Sequence, residues 1–315
     1  MSEVIRVVFI CDAKYVLPTQ TAIQSIICND RKNPYEIFVL GVDVENDVFS
    51  RLSTKNFKIS FISLQDKYQS LNAKHLYVSK AALFKFDLAE IFKDFDKILY
   101  LDSDMVVNRS LKELYQTDLS DKYAAVVKDM AGEKAGHHTK MNHQSYFNSG
   151  MMLLNLKNLR QDGIPAKLLE YKKHEVWKSF MDQDAFNFVF GEKVLYVSPD
   201  YNLMYGNLTF SLEEIAVYFE CSMSEMVRLL KKPCILHLTN RIKPWDDIRV
   251  STFKNWNVYY EKLRHNKKLG YRLPRKDLTL FQKTCLFFSS EKALDKRYVF
   301  NILGFKIKVK HRPLP

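Results

Sequence analysis

Long apolar runs are missing from the 315 residues: no stretch reaches the ~20 apolar residues that a membrane-spanning helix needs. Glycine and proline are scarce, nine of each, which excludes collagen-like and low-complexity chains. The five cysteines (Cys11, Cys28, Cys221, Cys234, Cys285) are scattered, with no C-x-x-C pair. Neither a disulfide framework nor a cysteine-held zinc is expected, and the set reads as reduced thiols in a cytosolic protein. No repeat of fixed period is present. The apolar run of the N-terminal "MSEVIRVVFICDAKYV" is broken by Asp12, so it is expected to be a first β-strand and no signal peptide. The sequons Asn108-Arg-Ser and Asn207-Leu-Thr are then expected to stay unmodified. Acidic residues are in deficit, 36 against 48 Lys and Arg, for a formal charge of +12. Net charge speaks to partners and leaves anionic membrane surfaces, nucleic acids and phosphorylated substrates open.

What is present is material for a core. Hydrophobic residues make up 47%, enough for one large domain or two small ones. "VIRVVFI" is rich in β-branched residues and reads as a fully buried strand. The segment "TQTAIQSIICN" follows, with Ile23, Ile26 and Ile27 on one helical face. "YEIFVLGVD" and "FKISFISL" read as strands, "SKAALFKFDLAEIF" as an amphipathic helix, and "FDKILYLDSD" as a fourth strand. Further on, "KYAAVVKDM" reads as a strand and "YFNSGMMLLNLKNLR" as a strand running into a helix. "DQDAFNFVF" reads as a helix with an acidic first turn, and "KPCILHLT" as a buried strand ending near His237. This alternation predicts an open α/β sheet with parallel strands, in which ligands bind beyond the carboxyl ends of strands. Asp12 and the pair Asp102/Asp104 fall at such ends.

"ILYLDSD" drives four apolar residues into two carboxylates. In an extended segment Asp102 and Asp104 point the same way, with Ser103 opposite. Like charges that close need a cation between them, or a proton on one. A loop with two solvated acids, a Mg²⁺ or Mn²⁺ site shared with substrate phosphates, and an aspartyl-phosphate phosphatase site all fit this fragment. The last follows because "DSDMV" also matches the haloacid-dehalogenase nucleophile pattern. That pattern belongs on an early strand, whereas three strands precede it here, and the late pair Asp246-Asp247 lies in a polar stretch.

Taken in order, "FICDAKY", "SKAALFKF", "YLDSDMVV", "YFNSGMMLLNLKNLR", "DQDAFN" and "HLTNRIKPW" closely resemble the retaining sugar-nucleotide transferases of glycosyltransferase family 8, including bacterial lipooligosaccharide and lipopolysaccharide galactosyl- and glucosyltransferases. The resemblance covers roughly residues 4–245. It implies a GT-A fold, that is, a Rossmann-like nucleotide-binding mixed sheet flanked by helices. It also implies a UDP-hexose donor and a divalent cation, Mn²⁺ or Mg²⁺. Asp102, Asp104 and His237 match the metal ligands; an imidazole ligand favours Mn²⁺. Lys243 matches the lysine that stabilises the departing diphosphate. Asp12 and Tyr15 match the groups that read and stack on uracil. Lys85, Ser103, Asp129, Asn148, Asp182 and Gln183 match donor-binding positions. Of these, Asp182 accepts from sugar hydroxyls in the family pattern and Gln183 lies against the anomeric carbon. With Lys243 these two form the expected catalytic set. Asp184 is expected either to hold the helix start or to touch the donor. Two departures stand out. Lys85 replaces a common Arg and loses its fork, and Asn240 replaces a Gly that lets backbone approach the diphosphate.

No carboxylate is positioned by spacing as a nucleophile, and same-face substitution is the expected route to retention. The acceptor is expected to be a cell-surface glycan or glycolipid, foremost a lipopolysaccharide or lipooligosaccharide core, with protein or another surface polysaccharide as the competitor. Residues 1–254 are expected to form the catalytic domain and 255–315 a basic, aromatic C-terminal region. In "FNILGFKIKVKHR", Phe305, Ile307 and Val309 alternate with Lys306, Lys308 and Lys310. That alternation suits attachment to an anionic membrane surface, and equally an edge strand guarded by lysines. Peripheral attachment at the cytoplasmic membrane face is therefore expected. Nucleic acid is not, since no recognisable motif accompanies the charge.

Overall fold

The structure is a computed structural model and describes residues 3–65, 80–137, 145–174, 182–239, 243–245, 254–266, 290–292, 297–302 and 305–310. Its strands are β1 (Ile5–Cys11), β2 (Tyr35–Val42), β3 (Phe57–Leu64), β4 (Lys97–Leu101), β5 (Met105–Val107), β6 (Ala124–Lys128), β7 (Phe147–Asn155), β8 (Val194–Tyr196), β9 (Leu203–Met204), β10 (Ile235–His237), β11 (Ser290–Lys292), β12 (Arg297–Ile302) and β13 (Phe305–Lys310). Its α-helices are α1 (Val16–Asn29), α2 (Leu88–Ile91), α3 (Lys112–Tyr115), α4 (Met130–Lys134), α5 (Leu156–Gln161), α6 (Ile164–His174), α7 (Gln183–Phe190), α8 (Leu212–Tyr218), α9 (Met223–Lys231) and α10 (Lys254–Arg264).

The main sheet has the order β3-β2-β1-β4-β7-β6-β8. β1 pairs parallel with β2 and β4, and β2 parallel with β3. β7 runs antiparallel to both β4 and β6. The sheet is thus mixed, where the strand–helix alternation predicts parallel strands, because β7 enters from the opposite edge. Its central strands are buried on both faces, as their near-continuous apolar runs require. Ile5, Val7 and Phe9 of β1 join one core cluster with Ala22, Ile23 and Ile26 of α1. Val8 and Ile10, one residue out of phase, join another with Phe84, Phe86, Phe186 and Phe190. Phe186 and Phe190 come from α7, so helices cover both sides.

A small second sheet, β5-β10-β9, builds the rim. β5 follows β4 after three residues, and β10 pairs antiparallel with it so that His237 lies opposite Met105. That register sets a strand-end histidine beside Asp104. β7 starts at the same edge where β4 ends, and the Asp102 N–H donates to the Gly150 carbonyl at 2.7 Å.

Two further expectations need correction. Asp102–Asp104 is not extended: it forms the turn between β4 and β5, and the carboxylates converge through tertiary packing instead of a shared strand face. "SKAALFKFDLAEIF" is not one amphipathic α-helix either. Lys80–Asp87 winds as 3₁₀ turns before the short α2. Burial there is not confined to one stripe, since Leu83, Phe84, Lys85, Phe86 and Leu88 are all buried. A 3.6-residue stripe therefore does not govern the segment. Both sequon asparagines are buried, Asn108 at 9% and Asn207 at 1% exposure, which fits their expected lack of glycan.

The basic composition that begins near residue 255 starts on α10, whose Trp256, Tyr259, Tyr260 and Leu263 belong to the main core. Trp256 stacks on Tyr260 at 5.0 Å. Asn29 of α1 donates to the Tyr259 hydroxyl at 2.6 Å, and that hydroxyl donates to Asn108 at 3.3 Å. Beyond it, β11, β12 and β13 form an antiparallel sheet that includes the expected Phe305–Lys310 strand. Removing Trp256 should expose how firmly α10 is bound: Trp256→Ala should cost about 3–5 kcal/mol of unfolding free energy. Urea titration of both proteins measures this, and a loss near zero would show that α10 is not part of the core.

Candidate active site

The ends of β1, β4, β6 and β10, the start of β7 and the start of α7 deliver most of the polar residues. The Asp12 carboxylate follows β1 and uses Oδ1 to accept the Lys14 and Tyr15 N–H groups at 2.9 and 3.2 Å. This cap orients it and starts the turn into α1. Tyr15 meets the Trp245 ring edge-on at 5.6 Å between centroids, and Trp245 packs in turn on Trp256 at 5.9 Å. The aromatic chain from the core thus supports the residue expected to stack on the base.

At the end of β4, Asp102 and Asp104 close on His237. One ligand atom from each lies within 4.8 Å of the others. His237 Nε2 is 3.1 Å from Asp104 Oδ1 and 3.8 Å from Asp102 Oδ2. Octahedral coordination at ~2.1 Å sets neighbouring ligand atoms about 3 Å apart and opposite ones about 4.2 Å apart. The separations fit a divalent cation. A second observation supports the fit. A Cβ on Gly150 would fall 2.4 Å from His237 Cε1 and 2.7 Å from Asp102 Oδ2, so only glycine lets the two ligands approach. Two carboxylates and one imidazole form an oxygen- and nitrogen-donor set able to hold a divalent cation.

The remaining charge is balanced by two lysines. Lys243 donates to Asp104 Oδ2 at 2.7 Å and to the Leu238 carbonyl at 2.6 Å. Burial acts to raise the Asp104 carboxyl, but Lys243 and His237 beside it hold it far below the usual carboxylate range. The buried Lys85 reaches Asp182 Oδ2 at 2.7 Å, Asp102 Oδ1 at 3.1 Å and the Ser149 carbonyl at 3.3 Å. Burial would lower the Lys85 ammonium; the Asp102 and Asp182 carboxylates outweigh it and raise it. Burial likewise would raise Asp182, and Lys85 more than offsets that, so its carboxyl is held below its ordinary value. Asp102 Oδ1 also accepts the Tyr100 hydroxyl at 2.7 Å.

The residues expected around the donor sugar form a buried amide network. Asn148 Nδ2 donates to Gln183 Oε1 at 2.8 Å, and Gln183 Nε2 donates to Asp129 Oδ2 at 3.0 Å. Gln183 Oε1 also accepts the Ser149 N–H at 3.2 Å. Asp129 Oδ1 accepts the Gly132 N–H at 3.0 Å and caps α4. Asp182 sits at the α7 start without capping it; its Oδ2 instead accepts the Ser149 hydroxyl at 2.7 Å. Asp184 accepts the Tyr146 hydroxyl at 2.5 Å, the helix-start role. Ser103 differs from the donor-binding expectation in what its hydroxyl does. It donates to the Ile10 carbonyl at 3.2 Å and accepts from Thr19 at 2.7 Å, tying the carboxylate turn to β1 and α1. Asn240 lies outside the described residues.

Four participants escaped the sequence reading: Tyr100, Ser149, Gly150 and Asn202. Ser149 and Gly150 sit inside "YFNSG", which could have flagged them. Asn202, fully buried, lies 3.0 Å from His237 Nδ1, and no motif surrounds it.

A family model for glycosyl transferase family 8 matches residues 6–249. The chain belongs to glycosyltransferase family 8. Among curated proteins it is 29% identical over 265 residues to glycosyltransferase GlyB of Streptococcus pneumoniae serotype 4, covering 82% of this chain and 61% of that protein. The chain thus spans about three fifths of the length of GlyB. It is 27% identical over 257 residues to lipopolysaccharide 1,2-glucosyltransferase of Escherichia coli K12, covering 78% of this chain and 73% of the relative. Among solved structures, galactosyltransferase LgtC in complex with donor and acceptor sugar analogs superposes with a TM-score of 0.68 at 23% identity, over 87% of this chain and 98% of that one. At that identity the likeness concerns the fold, which is GT-A. Family membership sets the phosphatase reading of "DSDMV" aside.

Removing the buried ammonium should strand two carboxylates. Lys85→Met should lose about 3–5 kcal/mol of stability at neutral pH. The sign of its pH dependence follows from Asp182. Paired, its depressed carboxyl adds stability above the unfolded carboxylate range and loses it as pH falls through the folded value. Unpaired, burial raises it, so the variant's Asp182 takes up a proton sooner, and the gap between the proteins should narrow on acidification to about pH 4. Urea midpoints at both pH values check this; a gap that widens in acid would contradict the pairing.

Proposed function

We propose that this family 8 enzyme transfers a hexose from a UDP-sugar, with retention of anomeric configuration, to a cell-surface glycan, foremost a lipopolysaccharide or lipooligosaccharide core. The observation that carries it is the convergence of Asp102, Asp104 and His237 next to Lys243 on one side and the Asp182–Gln183–Asn148–Asp129 network on the other. A diphosphate needs the first group and a pyranose, rich in hydroxyls, the second. The names of the E. coli glucosyltransferase and of the galactosyltransferase LgtC support a hexose and a lipopolysaccharide-type acceptor.

Each residue has a part that its chemistry allows. Asp12, oriented by its cap, reads the uracil N3–H, and Tyr15 stacks on the ring. Asp102, Asp104 and His237 hold the divalent cation, which when bound neutralises the diphosphate and favours departure of UDP. Lys243 adds a point charge at the leaving oxygen once it lets go of Asp104. Asp182 and Asp129 accept from sugar hydroxyls, their geometry fixed by Lys85 and Gly132. Gln183 is no nucleophile: Oε1 already accepts two N–H donors, which fills both lone pairs of an amide oxygen. The residues therefore favour same-face attack by the acceptor, with the departing phosphate taking the acceptor's proton. The basic C-terminal region would hold the enzyme at an anionic membrane surface.

The test is a panel of nucleotide sugars with Mn²⁺ or with EDTA, scoring free nucleotide. Release of UDP from one UDP-hexose that EDTA abolishes is the expected outcome; no release from, and no binding of, any UDP-sugar would refute the proposal. In the same assay, Asp102→Asn/Asp104→Asn should abolish turnover while the protein still folds and melts in one cooperative transition. Lys243→Met should lower kcat by about 10²–10³-fold, the usual loss for one stabilising donor. Parental rates in either variant would remove that residue set from the mechanism.

A further inference from the structure

We infer that Asn202 is a positioning residue that makes the metal ligands and the sugar-binding amides one mechanical unit. This rests on reading Asp102, Asp104 and His237 as a metal site. Two backbone N–H groups, which can only donate, fix the orientation of every amide between them. Gly150 N–H donates to Asn148 Oδ1 at 3.0 Å, so that atom is oxygen. Asn202 Nδ2 donates to the same oxygen at 3.0 Å. The Asn202 atom turned to His237 is then Oδ1, 3.0 Å from Nδ1. An oxygen there can only accept, so Nδ1 carries a proton, and Nε2 is the nitrogen turned to the carboxylates. This is the arrangement that a metal needs, and the partner on the far nitrogen is the usual means of setting it.

On the other side, Ser149 N–H fixes Gln183 Oε1 as oxygen, and Asn148 Nδ2 donates to it. The donors run one way, from His237 through Asn202, Asn148 and Gln183 to the Asp129 carboxylate. Every link is buried: His237 is 3% exposed and Asn202 0%. A chain of polar groups in a dry interior is stabilised only while each member is paired. Displacing Asn202 therefore disturbs both ends, the imidazole by losing its acceptor and Asn148 by losing a donor.

Two substitutions separate the ends. Asn202→Leu fills the volume and supplies neither bond. Asn202→Asp keeps an oxygen for His237 Nδ1–H and loses the N–H to Asn148. Mn²⁺ binding to the full chain, read from the free-ion electron paramagnetic resonance signal without nucleotide, reports the metal end. UDP and UDP-hexose affinities in saturating Mn²⁺ report the sugar end. Asn202→Leu should weaken Mn²⁺ about 10- to 100-fold, as loss of a ligand's hydrogen-bond partner does. Asn202→Asp should bind Mn²⁺ and UDP as the parent does and lose affinity for UDP-hexose alone. A misfolded Asn202→Leu leaves Asn202→Asp to decide, because a merely structural role would not spare Mn²⁺ and UDP while weakening the hexose. Parental Mn²⁺ affinity in a folded Asn202→Leu, or parental UDP-hexose affinity in Asn202→Asp, overturns the inference. A parent protein that takes up no Mn²⁺ at all overturns the metal reading instead.

Discussion

Three carboxylates, Asp102, Asp104 and Asp182, are gathered with only two ammonium groups at the edge of the main sheet, and the rest of the site follows from how that charge is neutralised. Asp104 and Asp182 are buried, where an unpaired charge would cost several kcal/mol. Lys85 bridges Asp182 and Asp102, and Lys243 holds Asp104. The pairing leaves one negative charge in excess, beside the His237 imidazole. A site of that balance suits a divalent cation, and on the proposed function the cation would receive a diphosphate. Lys243 is the less deeply buried of the two lysines, 14% exposed against 3% for Lys85. On the proposed function, a cation on Asp104 would compete for that carboxylate and free the ammonium for the phosphates.

Topology explains why these groups meet. Parallel β1 and β4 end at the same edge, and antiparallel β7 begins there. One edge therefore receives the carboxyl ends of two strands and the amino end of a third. The β4–β5 turn carries the chain out of the main sheet into the small one, and β10 returns beside β5 with His237 in register. Gly150 is the point of closest approach. Its backbone accepts the Asp102 N–H while its missing side chain leaves space for both ligands.

Strands such as β1 were legible in the sequence because burial on both faces demands β-branched runs, and the edge strand β3, less buried, still matches "FKISFISL" residue for residue. Asp102, Asp104, Asp129, Asn148, Asp182, Gln183, His237 and Lys243 were legible through motifs at strand and helix ends, and hydrogen bonds and ion pairs link them; Asp12 stands at the end of the neighbouring β1. The 3₁₀ winding of Lys80–Asp87 was hidden because its apolar residues imitate a helical stripe while Lys85 turns inward to a partner 97 residues away. The turn at Asp102–Asp104 was hidden because residue spacing alone cannot show where a strand changes sheet. Asn202 gave no signal at all: a single buried amide has no period, and its meaning lies in contacts with His237 and Asn148, 35 and 54 residues distant.

The exchange of the family's usual Arg for Lys85 becomes intelligible at the same level. Arg offers a planar fork suited to two oxygens of one carboxylate. Here the acceptors are three separate oxygens, on Asp182, Asp102 and the Ser149 backbone, arranged around one nitrogen. An ammonium has three N–H bonds and no plane to satisfy, so one Lys can serve all three. The Tyr100 ring, 4.8 Å away, covers the remaining side. The tighter 3₁₀ turns that carry Lys85 belong to the same solution, since they bury the whole segment so that the shorter, compact head reaches the centre. What the exchange gives up is rigidity of angle, and Ser149 restores it by donating its hydroxyl to the same Asp182 oxygen that Lys85 holds.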